Sequence, residues 1–405
     1  MELRILTITL PLLAATLAVS LRRKSLQADW TAIAGLACTL IGDYFLAMNH
    51  APRDSMQFIC GVGGFALAHA CWMAHLLRGK HLPQLPVVLG LLVALLPYLH
   101  VRVLPNAVRP VRVAIVLYTI LSCTSLACAV ASGKPLWMIA IGALFVSDFF
   151  ISAGTFTDDP LLGRYVVRFY LLALVATAVA TIFPKPAFKL PYNSLNSKKL
   201  ILIFVALSYL LSVSCFVGAM ARFPGGRYDF FHQMLSHLGR RTVNGEAYPA
   251  CHYLFVLAMT SSALAFAIAT PQLARLVRWR RLSWLVELAG ALFAGGLAMI
   301  ALLPEDIDGV WHCHGCDVAS LGGALFIVLL WPRRREWLLV GEILCVAAAF
   351  AVCLKLQGAG RLAFASAIPT LQKALVGSFM LWGIWQCAKA FLGEGRAAKP
   401  TTDRH

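Results

Sequence analysis

Residues 136–153 read Leu-Trp-Met-Ile-Ala-Ile-Gly-Ala-Leu-Phe-Val-Ser-Asp-Phe-Phe-Ile-Ser-Ala, an apolar run interrupted by one charge, Asp148. A helix needs about 20 such residues to cross about 30 Å of hydrocarbon at 1.5 Å per residue. The stretch therefore has the length and character of a membrane span. Comparable runs recur along the chain, at roughly 4–21, 29–48, 57–77, 85–103, 110–131, 136–153 and 165–183, then at roughly 200–220, 251–270, 283–303, 316–331, 337–354 and 366–391. That spacing predicts an all-α, polytopic transmembrane helical bundle of about thirteen spans in two modules, seven followed by six.

Composition agrees. The chain has 405 residues, of which 60% are hydrophobic and 13% charged, with a mean hydropathy of +0.76. Ordinary soluble domains carry roughly 25% charged residues, so this chain has far too little polar surface to be one. The formal net charge of +17 would make nucleic acid a candidate partner for a soluble protein. Here the basic residues sit in short connections, such as Arg22-Arg23-Lys24, Arg278-Trp279-Arg280-Arg281 and Arg333-Arg334-Arg335, where cytoplasmic loops collect positive charge. No nucleic-acid partner is expected. Of twelve cysteines, Cys38, Cys60, Cys71, Cys123, Cys128, Cys345 and Cys353 lie in apolar runs, where a thiol behaves as a small hydrophobe. No disulfide framework follows from them. The first apolar run is followed, not preceded, by its basic cluster and has no clear cleavage site, so it reads as a retained first helix.

Domain boundaries follow from one break. Residues 184–199, from Pro184-Lys185-Pro186 through Pro191-Tyr192-Asn193-Ser194 to Lys198-Lys199, are polar, basic and Pro-containing, as suits a linker. The expected layout is a first module over 1–183, the linker 184–199, a second module over 200–392 and a polar tail over 393–405. Basic clusters follow spans one, seven, nine and eleven, whereas even-numbered connections include acidic ones such as Thr157-Asp158-Asp159-Pro160. That alternation puts the N-terminus outside and the C-terminus in the cytoplasm.

A carboxylate inside a span costs at least about 2.5–3.5 kcal/mol, which makes it a functional hypothesis by default. In the first module Asp43, in Gly42-Asp43-Tyr44-Phe45-Leu46, and Asp148 occupy spans two and six. Those spans run the same way, and both carboxylates fall in the outer half, so they could face one another. His69, in Phe65-Ala66-Leu67-Ala68-His69, and Tyr118 lie in spans three and five. Two neighbouring buried carboxyl groups do not both ionise readily, which is the division that general acid and base work uses. Each polar group would otherwise serve to bond a neighbouring helix.

These segments, with Pro110-Val111 through Tyr118 and Gly142-Ala143-Leu144-Phe145-Val146-Ser147-Asp148, resemble in order and rough spacing the YhhN-like lysoplasmalogenase family over about residues 1–183. Where that family ends on a Tyr shortly before a Gln, this chain reads Arg164-Tyr165-Val166-Val167-Arg168-Phe169-Tyr170. The resemblance implies hydrolysis of a lysoplasmalogen vinyl ether to a fatty aldehyde and a glycerophospho-head group. It implies Asp43, Asp148 and His69 as catalytic residues, and Gly42, Tyr118 and Ser147 as substrate contacts. The chemistry suits the residue types: a carboxylic acid protonates the distal vinyl carbon, and a carboxylate stabilises the resulting oxocarbenium ion or deprotonates water. It requires no metal and no cofactor. The expected partners are a lysophospholipid substrate and the bilayer, and the expected location is a bacterial inner (plasma) membrane.

The second module offers two polar connections, Arg227-Tyr228-Asp229-Phe230-Phe231-His232-Gln233-Met234-Leu235-Ser236-His237-Leu238-Gly239-Arg240 and Pro304-Glu305-Asp306-Ile307-Asp308-Gly309-Val310-Trp311-His312-Cys313-His314-Gly315-Cys316-Asp317. Both are even-numbered and so share one membrane face, where Asp229, His232, Ser236, His237, His312 and His314 are candidates for a second polar site of unknown function. Helical spacing of Asp229, His232, Ser236 and Gly239 predicts a short amphipathic helix. His312, His314, Cys316 and Asp317 are donor types zinc accepts, although their spacing matches no standard zinc signature. The region resembles an uncharacterised family of six-helix bacterial membrane proteins. For the whole chain the alternative to a hydrolase is a non-enzymatic lipid or solute transporter or sensor using the same buried groups.

Overall fold

The computed structural model describes residues 2–22, 30–48, 56–78, 85–157, 160–183, 195–224, 228–243, 245–274, 282–330, 337–358 and 366–392. The basic residues at 23–24, 185–189, 278–281 and 333–335, most of the expected linker and the whole 393–405 tail lie outside these. The chain forms two compact units, Met1–Pro191 and Tyr192–His405.

The first unit contains α1 (Glu2–Arg22), α2 (Trp30–Ala47), α3 (Met56–Leu77), α4 (Leu85–Tyr98), α5 (Arg109–Ser132), α6 (Pro135–Phe156) and α7 (Pro160–Ile182). The second contains α8 (Leu195–Ala221), α9 (Pro249–Leu273), α10 (Ser283–Leu302), α11 (Gly309–Leu330), α12 (Trp337–Gly358) and α13 (Ile368–Leu392). Helices are what a chain so apolar must form, because hydrocarbon offers no partner to a peptide N–H or C=O. Among the described residues ten helices are long and apolar enough to cross a membrane, and the apolar parts of α1 and α12, Thr9–Val19 and Val340–Phe350, are shorter. The protein is an integral, multi-pass membrane protein with an all-α fold.

Two local expectations differ from the structure. The connection before α11 ends at Asp308, not Asp317: the Asp308 carboxylate accepts from the Trp311 amide at 3.1 Å, an N-cap that starts the helix a full two turns earlier. His312, His314, Cys316 and Asp317 are therefore helical. The predicted amphipathic helix over 229–239 is instead a turn followed by a 3₁₀ segment, Leu235–Gly239. Asp229 turns its side chain onto the Phe231 and His232 amides at 3.0 and 3.1 Å, a local bond that competes with continuing a helix. A two-stranded ribbon, Thr242–Val243 with Glu246–Ala247, closes that loop. Helix α8 begins inside the expected linker, at Leu195.

Each unit is built on a close helix pair. In the first, α2 lies along α3, and a Cβ added at Gly64 would stand 2.6 Å from the Gly42 backbone nitrogen. In the second, a Cβ at Gly296 would stand 2.5 Å from the Ala319 nitrogen of α11. Backbones in contact through small residues gain dispersion that lipid cannot match. Around these pairs α5 packs on α3, α6 on α7, and α1 on both α2 and α7, while α9 packs on α8 and α10. Outward faces are apolar, with Leu67, Leu117, Leu207, Leu210 and Leu381 all exposed, as a lipid-facing surface requires.

Gly64→Ala is expected to destabilise the first unit by about 1–3 kcal/mol through overpacking. Gly63→Ala, with nothing within 4 Å of its added Cβ, should leave the melting temperature in detergent unchanged.

Candidate functional site

Asp43 sits in the last turn but one of α2, directly after the Gly42 contact with α3, and is buried. Its Oδ2 accepts two hydroxyls: Thr9 of α1 at 2.9 Å and Tyr170 of α7 at 2.7 Å. One carboxylate thus ties three helices together, and it is enclosed by them.

Asp148 has a different setting. Its Oδ2 accepts from the Tyr118 hydroxyl of α5 at 2.7 Å, and His69 Nε2 of α3 stands 3.7 Å away. The histidine side chain is fully buried, whereas that of Asp148 is 15% exposed. The His69 ring meets Tyr118 edge-on at 5.6 Å between centroids. Two partly open clefts flank the Tyr118–Asp148 pair. One, the larger, is walled by Leu46, Phe58, Val62, Phe65, Ile115 and Ile151. The other lies between α4, α5 and α6, with Leu95, Leu99, Ser122, Phe145 and Phe149 on its walls. On the second cleft Pro97 interrupts α4, and the chain continues as a π-helical turn, Leu99–Val103, a feature that recurs at functional sites.

The sequence candidates thus separate. Asp148, Tyr118 and His69 come together, with the phenol and the acid on the cleft walls. Asp43 does not join them through any hydrogen bond or ion pair among the described residues; it has its own phenol, Tyr170, whose ring packs edge-on at 6.0 Å against Phe65 on the larger cleft. Gly42 and Ser147, expected as substrate contacts, lie in helix–helix contacts. Gly42 lies under the Phe65 ring in the α2–α3 crossing, and the buried Ser147 donates to the Val166 carbonyl of α7 at 3.2 Å. Sequence reasoning missed Thr9 and Tyr170. The available signal was a hydroxyl residue within an apolar run, but Thr residues commonly bond their own helix, as Thr119 does to the Ile115 carbonyl at 2.8 Å.

In the second unit the two polar connections meet through acids that sequence reasoning did not single out. Glu305 takes Arg240 Nη2 at 3.2 Å and the Ser236 hydroxyl at 3.4 Å, with His237 Nε2 at 3.9 Å. Asp306 Oδ2 accepts the Arg241 and Thr242 amides at 2.8 and 3.0 Å. Burial first, and Arg240 second, push the His237 imidazole below its ordinary range, against the pull of Glu305. The remaining candidates scatter. Asp229 and His232 form an exposed pair at 2.8 Å, which holds the Asp229 carboxyl below the usual range. His312 turns inward and donates from Nδ1 to the Leu303 carbonyl at 2.9 Å, while His314 stays exposed, 3.8 Å from Asp317. Among the described residues no three His, Cys, Asp or Glu side chains are grouped to hold a metal ion, so the donor types noted in the sequence are not gathered at one point.

Residues 3–181 match the family model of the YhhN family. No curated protein and no solved structure matches the chain.

Tyr170→Phe removes a hydrogen bond from a buried carboxylate and is expected to cost about 1–3 kcal/mol. Tyr165→Phe, on an exposed ring of the same helix, should not shift the unfolding midpoint.

Proposed function

We propose, from the match of residues 3–181 to the YhhN family model, that the protein is a membrane hydrolase of lysoplasmalogens, or of closely related ether lysolipids. It would release a fatty aldehyde and a glycerophospho-head group. The observation that carries this reading is the Tyr118–Asp148 pair, held beside His69 at the meeting of two clefts in the membrane-spanning bundle.

Vinyl ether hydrolysis begins with a proton delivered to carbon, so the acid must reach the substrate. Asp148 is the carboxyl group placed to do so. Tyr118 donates to Oδ2 and fixes the plane of the group, leaving Oδ1 to carry the proton. Protonation of the distal vinyl carbon gives an oxocarbenium ion, which the carboxylate left behind stabilises in a site of low dielectric. Water adds to the cation and returns a proton to Asp148. The hemiacetal then collapses to aldehyde and alcohol. The apolar cleft lined by Phe58, Val62, Phe65 and Ile151 suits the hydrocarbon chain.

Asp43 acts one layer deeper in this scheme. It anchors Tyr170, and Tyr170 supports Phe65 on the chain cleft. The two carboxylates thus divide into proton donor and positioning group.

The substrate, and a bacterial inner membrane with the N-terminus outside and the C-terminus cytoplasmic, belong to the same proposal; the orientation rests on the basic connections after spans one, seven, nine and eleven. The second unit is left without an assigned reaction.

The test is aldehyde release from a defined lysoplasmalogen by the detergent-purified full chain. Asp148→Asn is expected to lower turnover by about 100-fold or more, the effect of losing a general acid. Asp43→Asn, checked for folding, is expected to lower it less, by about 10-fold, as suits a positioning group. A folded wild type that releases no aldehyde would overturn the reading.

A further inference from the structure

The reaction proposed above consumes a water molecule inside a hydrocarbon-facing bundle, and the two clefts beside Asp148 are not alike. Both carry Tyr118, Thr119, Asp148 and Ser152, and the remaining walls of the larger are all apolar. The smaller adds Ser122, which lies one turn beyond Tyr118 on the same face of α5. The other hydroxyls near Asp148 are committed to their own helices: Thr119 donates to the Ile115 carbonyl and Ser152 to the Asp148 carbonyl at 2.8 Å each. Ser122 is not. Its buried Oγ has no hydrogen-bond partner, nor has that of Ser125 three residues on, and neither ring nitrogen of the fully buried His69 makes a hydrogen bond.

Ser122 shares the wall of the smaller cleft with Asp148, and His69 reaches to 3.7 Å from the same carboxylate. A buried donor or acceptor left unpaired costs about 1–3 kcal/mol, and native proteins satisfy such groups with internal water when the site is polar and roomy enough. Resting on the hydrolase reading, we infer that the cleft between α4, α5 and α6 is the water side of the active site. There Ser122 on the cleft wall, with His69 reaching Asp148 from α3, holds the hydrolytic water against Asp148, beside the cleft that takes the lipid chain.

The arrangement balances chemically. Asp148 gives its proton to the distal vinyl carbon, and the π pair forms the new C–H bond. The held water forms the C–O bond at the carbon bearing oxygen and passes one proton to the Asp148 carboxylate. The bond from that carbon to the glycerol oxygen then breaks, with the hemiacetal proton moving to the departing oxygen. Ser122 and His69 are positioning residues: they act on the water and not on the vinyl ether.

Two measurements test this separately from the parent reading. The first is hydroxyl-radical labelling of the substrate-free, detergent-purified full chain, by brief X-ray exposure in ¹⁸O-water. Radicals formed from internal water oxidise the side chains beside it, so His69 is expected to take label well above Phe156, which is equally buried. Ser122→Val should reduce that label and Ser122→Thr, which keeps the hydroxyl, should restore it. Label on His69 no greater than on Phe156, or unmoved by Ser122→Val, overturns the proposal whatever the activity. The second is turnover with methanol added as a competing nucleophile. Ser122→Val is expected to lower kcat by about 10–100-fold at unchanged KM and to raise the share of methyl acetal over aldehyde, with recovery in Ser122→Thr. An unchanged product ratio overturns the positioning role. Strong His69 label in a wild type that releases no aldehyde would uphold the water site and sink the hydrolase reading.

Discussion

Much of the first unit depends on the contact between the α2 and α3 backbones at Gly42 and Gly64. With no side chain between them the two helices run closer than leucine-faced helices can. That closeness places Asp43, the next residue on α2, where hydroxyls from α1 and α7 both reach one oxygen. It also lays Phe65 across Gly42 and against Tyr170, which sets one wall of the larger cleft. A methyl group at the crossing would displace all of these together, since packed helices move as rigid bodies.

From that crossing the unit develops two polar centres of different character. Around Asp43 the protein supplies its own donors and closes the site. Around Asp148 it supplies one phenol, a histidine just beyond hydrogen-bond distance, and open clefts on either side. In a medium where every unpaired polar atom is costly, the closed centre reads as support and the open one as the place for an exchangeable partner. The second unit follows the closed pattern. Glu305 and Asp306 reach from one connection to bind the other, and Lys373 of α13 donates to the Gln233 carbonyl while lying over the Tyr228 and Phe230 rings. That polar layer fastens helix ends.

The residues of the site were legible to different degrees. Asp43, Asp148 and His69 announced themselves, because an ionisable group in an apolar run has a cost that needs a reason. Tyr118 was visible beside them as a possible hydroxyl. Thr9 and Tyr170 were not, because one carries a common in-helix hydroxyl and the other is an aromatic residue of a kind common in membrane spans, 127 residues from Asp43. Gly42 and Ser147 were read as contacts of substrate, and the structure sets both in helix–helix contacts. The α11 start was misplaced because the run from Gly309 to Cys316 is polar, and the Asp308 cap outweighs that polarity.

The sequence by itself determined that this chain is a helical membrane protein in two parts, because run length and charge scarcity are properties of a segment and need no neighbour. It also determined which spans carry ionisable groups. Only the tertiary structure decided that the two aspartates occupy separate centres, one enclosed and one open to clefts. Helical periodicity fixes which residues share a face, but the partner that face meets, whether α7 for Asp43 or α5 for Asp148, is set by how small and large side chains interlock between helices far apart in the chain.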